Sequence, residues 1–177
     1  MKRVSTESKT YMNHYYLILS IFTGLVILIQ FIIEFSFFNF QANLLLFGIG
    51  WFLLPIGFWL VASSIVSLRR NGGISESSSI SKTDVLVTTG FYSILRNPIY
   101  LGAGIFSLAL AFVTQNWLSM GCSIVVIPLL ANLIVEEETL NKIKFGDEYL
   151  SYMNSIPRVN LFLGLWNHFR KEMQNQD

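Results

Sequence analysis

Residues 96–113 read RNPIYLGAGIFSLALAFV, and this stretch decides the fold. Asn97 followed by Pro98 is a helix-start signal. Asparagine caps well, and a proline at the first helical position lacks an N–H that would have no intrahelical partner, while its fixed φ suits the helix. From Ile99 to Val113 there is no charge. The helix that opens at Pro98 therefore enters an apolar medium and leaves Arg96 and Tyr92 at its mouth. A helix N-terminus beside an arginine is a favourable place for an anion. The same residues admit a plainer reading, in which Asn97 only caps and Arg96 only marks the membrane edge.

The whole chain shares this character. Of 177 residues, 53% are hydrophobic and 13% charged, far from the composition of a soluble domain. The sequence predicts an all-α, polytopic integral membrane protein. A net charge of +1 offers no basic surface for nucleic acid. The single cysteine, Cys122, lies in an apolar run, so there is neither a disulfide framework nor a Cys/His metal spacing, and no metal is expected.

Four spans are expected, at about 15–33, 43–66, 98–114 and 117–135. Tyr15–Ile33 is uncharged and of bilayer-crossing length. The basic start, Met1-Lys2-Arg3, leads into it without a small-residue cleavage site, so this span is expected to be retained. An aromatic turn at 34–42 (Phe35, Phe37, Phe38, Phe40) suits headgroup level. The second span contains Pro55 and Gly57 and is expected to kink near Pro55. Residues 68–97, with Arg69-Arg70, Asn71-Gly72-Gly73 and a serine-rich run, read as an exposed loop. Gln115-Asn116 permit only a tight turn, so the third and fourth spans form a hairpin. Ala103, Ser107 and Ala111 recur every four residues, a spacing that lets membrane helices approach closely. Asn132, at membrane depth in the fourth span, is expected to face protein or a polar pocket.

Charge placement orients the chain. Lys2, Arg3 and Lys9 precede the first span; Arg69, Arg70, Lys82 and Arg96 lie between the second and third; Lys142, Lys144, Arg158, Arg170 and Lys171 follow the fourth. The two intervening turns carry no Lys or Arg. The positive-inside rule then predicts both termini and the Arg96 loop in the cytoplasm. Beyond the fourth span, the segment 136–177 is expected to be cytoplasmic, with a polar helix broken at Gly146 and then an interfacial helix. In that last helix Leu161, Phe162, Leu165, Trp166 and Phe169 form an apolar stripe. A single membrane domain, 1–177, is expected.

Three consecutive carboxylates, Glu136-Glu137-Glu138, stand where the fourth span ends, on the same side as Arg96. Like charges crowded at a low-dielectric boundary are unfavourable unless cations answer them. Either Glu138 pairs with Lys142 at i,i+4 and the others are solvated, or some of them line a pocket with Arg96 and Tyr100 for a cationic or polyhydroxyl ligand. His14 and His168 stand far apart. No Ser/His/Asp set, dinucleotide fingerprint or phosphate loop is present.

Leu86-Val87-Thr88-Thr89-Gly90-Phe91-Tyr92, Arg96-Asn97-Pro98-Ile99-Tyr100-Leu101-Gly102, Glu137-Glu138, Phe145-Gly146, Tyr149, Tyr152 and Pro157-Arg158 together resemble the isoprenylcysteine carboxyl methyltransferase family, as a short bacterial-type member. The resemblance runs from about Lys82 to Arg158. It implies an enzyme that transfers a methyl group from S-adenosylmethionine to a lipophilic acceptor, working at the cytoplasmic side of a membrane such as a bacterial inner membrane. On the same footing, it implies catalytic positions at Arg96, Asn97 and Tyr100. Donor-binding positions would be Tyr92, Arg96, Pro98, Tyr100, Gly102, Glu137, Glu138, Tyr149 and Arg158, with Gly102 allowing close approach and Glu136 a bystander. Asn97 stands where the family carries histidine, so no imidazole proton is available there.

The acceptor implied is a prenylcysteine-type carboxylate, an isoprenoid or a phospholipid amine. Membrane lipid is a partner; nucleic acid and metal are not. Two alternatives stay open: an NADPH-dependent membrane reductase of sterol-reductase type, which shares an arginine-proline-tyrosine pattern, and a non-enzymatic four-helix membrane protein that binds a partner at its polar edge.

Overall fold

The computed structural model describes residues 6–36, 43–72 and 85–174. Most of the aromatic turn and of the serine-rich loop lies outside the described residues. Among the described residues six α-helices follow in order: α1 (Thr6–Ser36), α2 (Leu44–Asn71), α3 (Pro98–Thr114), α4 (Trp117–Phe145), α5 (Asp147–Ser155) and α6 (Leu161–Gln174). A 3-10 turn, Gly90–Ser93, precedes α3, and no strand occurs among the described residues. The protein is an all-α membrane protein. His14–Ile33 of α1, together with α2 and α4, is long and apolar enough to cross a bilayer, and α3 is a shorter apolar helix.

Helix α3 has the bounds that the sequence predicts, and α4 begins at Trp117 as expected. Elsewhere hydropathy marks where a span ends but not where its helix ends. Helix α2 continues past Val66 through Arg69 and Arg70 to Asn71, so the connecting loop starts later than residue 68. Helix α4 passes Val135 without interruption and carries Glu136, Glu137 and Glu138 as far as Phe145. The polar helix predicted from Glu136 is therefore the continuation of the fourth span. The reason is local: glutamate and lysine are good helix formers, and nothing before Gly146 breaks the helix. Gly146 does break it, with a φ of 57° that side chains disfavour, and α5 starts at the next residue.

The described chain forms two compact units. The first comprises the residues up to Pro55 together with Gly104–Asn141. Its centre is Gln30, fully buried in the uncharged span of α1. The Gln30 Nε2 donates to the carbonyl of Ser107 at 2.7 Å and to the hydroxyls of Ser119 and Ser123, both at 3.0 Å. Its Oε1 accepts from the Ser107 hydroxyl at 2.7 Å. One amide thereby ties α1 to both helices of the α3–α4 hairpin. A buried amide with no such partners would be costly in an apolar medium. Ser107 and Ala111 of the small-residue row are buried, and Ser107 is the point at which that row meets Gln30.

At one end of this unit Asn43 and Gln115 lock together. The Asn43 N–H donates to Oε1 of Gln115 at 3.0 Å, and Nε2 of Gln115 donates to the Asn43 carbonyl at 2.7 Å. Asn43 also caps α2 through its Oδ1, which accepts from the Leu45 and Leu46 N–H groups. Asn132 corrects the sequence reading: it is exposed, and its amide donates back to the Pro128 carbonyl at 3.0 Å. A donor satisfied one turn back does not need a pocket.

Replacing Gln30 with leucine removes the amide that three serines share. The expected loss is about 1–2 kcal/mol of stability, read as a lower unfolding midpoint in detergent. An unchanged midpoint would mean that the serine hydroxyls re-pair without it.

Candidate active site

The second unit comprises Ile56–Ala103 and the residues from Lys142 onward. Its organising segment is the approach to α3. The N–H groups of Arg96 and Asn97 donate to the carbonyls of Pro157 and Arg158, at 3.0 and 3.1 Å. The Asn97 carbonyl then accepts from Leu101 at 3.2 Å, the first bond of the helix. Two strands of chain sixty residues apart are thus zipped where α3 begins. Asn97 and Pro98 are buried, Arg96 and Tyr100 half-buried. The Nε and Nη1 atoms of Arg96 are themselves buried, so the guanidinium is drawn into the protein at the positive end of an uncharged helix. Such a group is suited to a carboxylate or phosphate rather than to solvent.

The turn before it is held from two sides. On one, the Tyr152 hydroxyl donates to the Tyr92 carbonyl at 2.7 Å. On the other, the Phe91 ring stands edge-on to Trp59 of α2, with centroids 5.0 Å apart. Asn71 reaches the Thr89 hydroxyl at 2.9 Å. Tyr149, only 2% exposed, packs with Tyr152 and Ile156 against Leu86, Phe145 and Met153. Tyr152 belongs to the residues that carry the resemblance, but its bond to Tyr92 joins positions too distant for any local pattern to pair them.

This unit therefore brings together Tyr92, Arg96, Asn97, Pro98, Tyr100, Gly102, Tyr149 and Arg158. Arg158 is exposed and takes part through its backbone carbonyl. Gly102 does allow a close approach, and its partner is helix α2. A Cβ at Gly102 would lie 2.9 Å from the Gly57 carbonyl oxygen and 2.9 Å from a methyl of Val61.

Glu137 and Glu138 lie in the first unit, on α4. Glu138 is 2% exposed, while Glu136 and Glu137 are half-buried and Lys142 is exposed. Glu136 and Glu137 are thus not fully solvated, as the plainer alternative for this run has them. Burying a carboxylate at this depth is costly unless cationic or hydrogen-bonding groups answer it. No group of three or more His, Cys, Asp or Glu able to hold a metal exists among the described residues.

Residues 45–148 match the family described as phospholipid methyltransferase. The chain belongs to that family. The match spans the Arg96–Gly102 segment and the three glutamates; Tyr149 and Arg158 lie beyond it. The chain is also 30% identical over 129 residues to a protein-S-isoprenylcysteine O-methyltransferase of Schizosaccharomyces pombe, covering 72% of this chain and 52% of that protein. It thus spans about half the length of the curated relative. No solved structure matches it.

Gly102→Val is expected to push α3 off α2, because the obstructing atom is backbone. The cost should be about 1–3 kcal/mol, visible as a lower unfolding midpoint. The close contact would be contradicted by a variant as stable as wild type.

Proposed function

We propose that this protein is a membrane methyltransferase that uses S-adenosylmethionine to methylate a lipophilic acceptor. The observation that carries the reading is the Arg96 guanidinium, drawn into the protein at the start of an uncharged helix, within the part of the chain that matches the family. The chemistry of the donor set fits the cofactor. Its amino-acid part bears a carboxylate and an ammonium, and this chain offers a partly buried arginine and a buried carboxylate.

On this reading, Arg96 and the N–H groups at the start of α3 hold the donor's carboxylate. Tyr92, Pro98, Tyr100 and Tyr149 shield that end of the donor from water, and Glu137 and Glu138 are the positions that the resemblance to the family implies for the ammonium and the cationic sulfur. The bound donor supplies a methyl group on a sulfonium, displaced in line by an acceptor oxygen or nitrogen. The protein's work is then alignment and exclusion of water, which needs no acid of the imidazole kind. Asn97, capable of hydrogen bonding but not of proton transfer at neutral pH, is compatible with that. The acceptor is a prenylcysteine-type carboxylate, an isoprenoid or a phospholipid amine. The name of the fission-yeast relative favours the carboxylate, and the description of the family favours the amine.

Calorimetry on the protein in lipid nanodiscs tests the reading. S-adenosylmethionine should bind, and Arg96→Ala or Glu137→Ala should weaken binding by ~10–100-fold, as expected for the loss of a charge-assisted hydrogen bond. Binding of NADPH in place of S-adenosylmethionine would replace methyl transfer with reduction.

We further propose that both termini and the Arg96 segment face the cytoplasm, supported by the one-sided placement of all twelve Lys and Arg residues. In a Cys122→Ser background, cysteines introduced at Asn71 and Asn160 should react with an impermeant maleimide in inverted vesicles and not in intact cells. Labelling from outside would reverse the orientation.

A further inference from the structure

Helix α6 has two faces of different kinds, and the sequence stripe Leu161, Phe162, Leu165, Trp166 and Phe169 is divided between them. Leu161 and Leu165 are half-buried, and Gly164 is buried. The Gly164 backbone rests directly on Ile94: a Cβ there would run into the Ile94 carbonyl oxygen and lie 2.9 Å from its side chain. On the other face Phe162, Trp166, Phe169 and Met173 are 87%, 64%, 56% and 64% exposed. Their spacing of four, three and four residues forms one narrow row, ~16 Å long at 1.5 Å per residue. Rolling the helix to bury that row would lift Gly164 off Ile94. Exposed aromatic rows of this size mark a binding surface.

Two observations identify what covers it. Ile94 precedes α3 by four residues, and α3 carries no charge along its length, so α6 is fixed at the level where the chain passes from a polar to an apolar medium. The row is also edged by a cation. The Arg170 guanidinium sits 5.7 Å from the centre of the Trp166 ring, and Lys171 follows it in sequence. Tryptophan and phenylalanine beside arginine suit the headgroup layer of a phosphate-bearing leaflet, where rings reach the acyl boundary and cations meet phosphate.

We propose that α6 is a leaflet-seated clamp: Phe162, Trp166, Phe169 and Met173 insert into the headgroup region of the lipid surface, and the opposite face presses on the segment that leads to Arg96. Asn160 starts the helix, its Oδ1 accepting from the Leu163 N–H at 3.0 Å. Pro157 and Arg158, which precede it, are the residues bonded to Arg96 and Asn97. A lipid-bound α6 therefore fixes the depth of Arg96 at the headgroups, where an amphiphilic acceptor presents its polar end. That last consequence rests on the methyl-transfer reading; the seating of α6 does not.

The test uses the full chain with Trp51, Trp59 and Trp117 replaced by phenylalanine, so that Trp166 is the sole tryptophan, in nanodiscs made with lipids brominated high or low on the acyl chain. Strong loss of Trp166 emission with high bromines, less with low ones, and little quenching by aqueous acrylamide is the expected result. Phe162→Ser with Phe169→Ser should restore much of the emission and admit acrylamide. Quenching by acrylamide and not by bromolipid in the parent protein would overturn the proposal. So would emission shielded from both quenchers with cross-linking between copies through position 166, which would assign the row to a second copy. Neither readout depends on donor binding, so failure here leaves the methyl-transfer reading standing, and the converse holds.

Discussion

Two backbone hydrogen bonds, from the N–H groups of Arg96 and Asn97 to the carbonyls of Pro157 and Arg158, are the constraint on which the second unit depends. A chain about to enter an apolar medium cannot leave N–H groups unsatisfied. Pro98 has none to satisfy, and the two residues before it give theirs to a segment that follows α5. That pairing fixes the start of α3, draws the Arg96 side chain inward and brings the beginning of α6 beside Ile94. The Tyr152 hydroxyl on the Tyr92 carbonyl secures the same approach one turn earlier.

The first unit solves a related problem differently. Association of helices in lipid gains little from the hydrophobic effect, because lipid tails are as apolar as leucine, so packing and polar contacts decide it. Gln30 supplies the polar contact and Ser107, Ser119 and Ser123 complete it. The arrangement is saturated, since Gln30 uses both its donor and its acceptor on partners from α3 and α4.

What could be read from the sequence follows from what is local. The start of α3 at Pro98 and the turn at Gln115-Asn116 are set by the residues at those positions, and they stand as read. The end of α4 was not legible from hydropathy, because the change from Val135 to Glu136 alters the medium and not the backbone; Gly146 carries the information. The stripe of α6 was legible as apolar but not as two faces, because only the contact of Gly164 with Ile94 tells which residues turn inward. Gln30 passed as one uncharged residue among many. A lone amide in a charge-free span, facing serines two helices away, is the signal that would have found it. Of the candidate site, the Arg96–Gly102 segment is described by its own motif, while the burial of Glu138 is a property of the fold.

A soluble nucleotide enzyme announces itself by a glycine-rich phosphate loop, and this chain has none. Its polar chemistry is instead gathered at the ends of membrane helices, an economical arrangement when one substrate is dissolved in water and the other in lipid. The most direct measurement is to incubate the protein in liposomes with S-adenosylmethionine bearing a trideuterated methyl group, then analyse the organic extract by mass spectrometry. The account predicts a lipid-soluble product carrying the label, absent for Arg96→Ala. Folded protein that binds the donor and labels no lipophilic molecule, from any of the acceptor classes supplied, would contradict it.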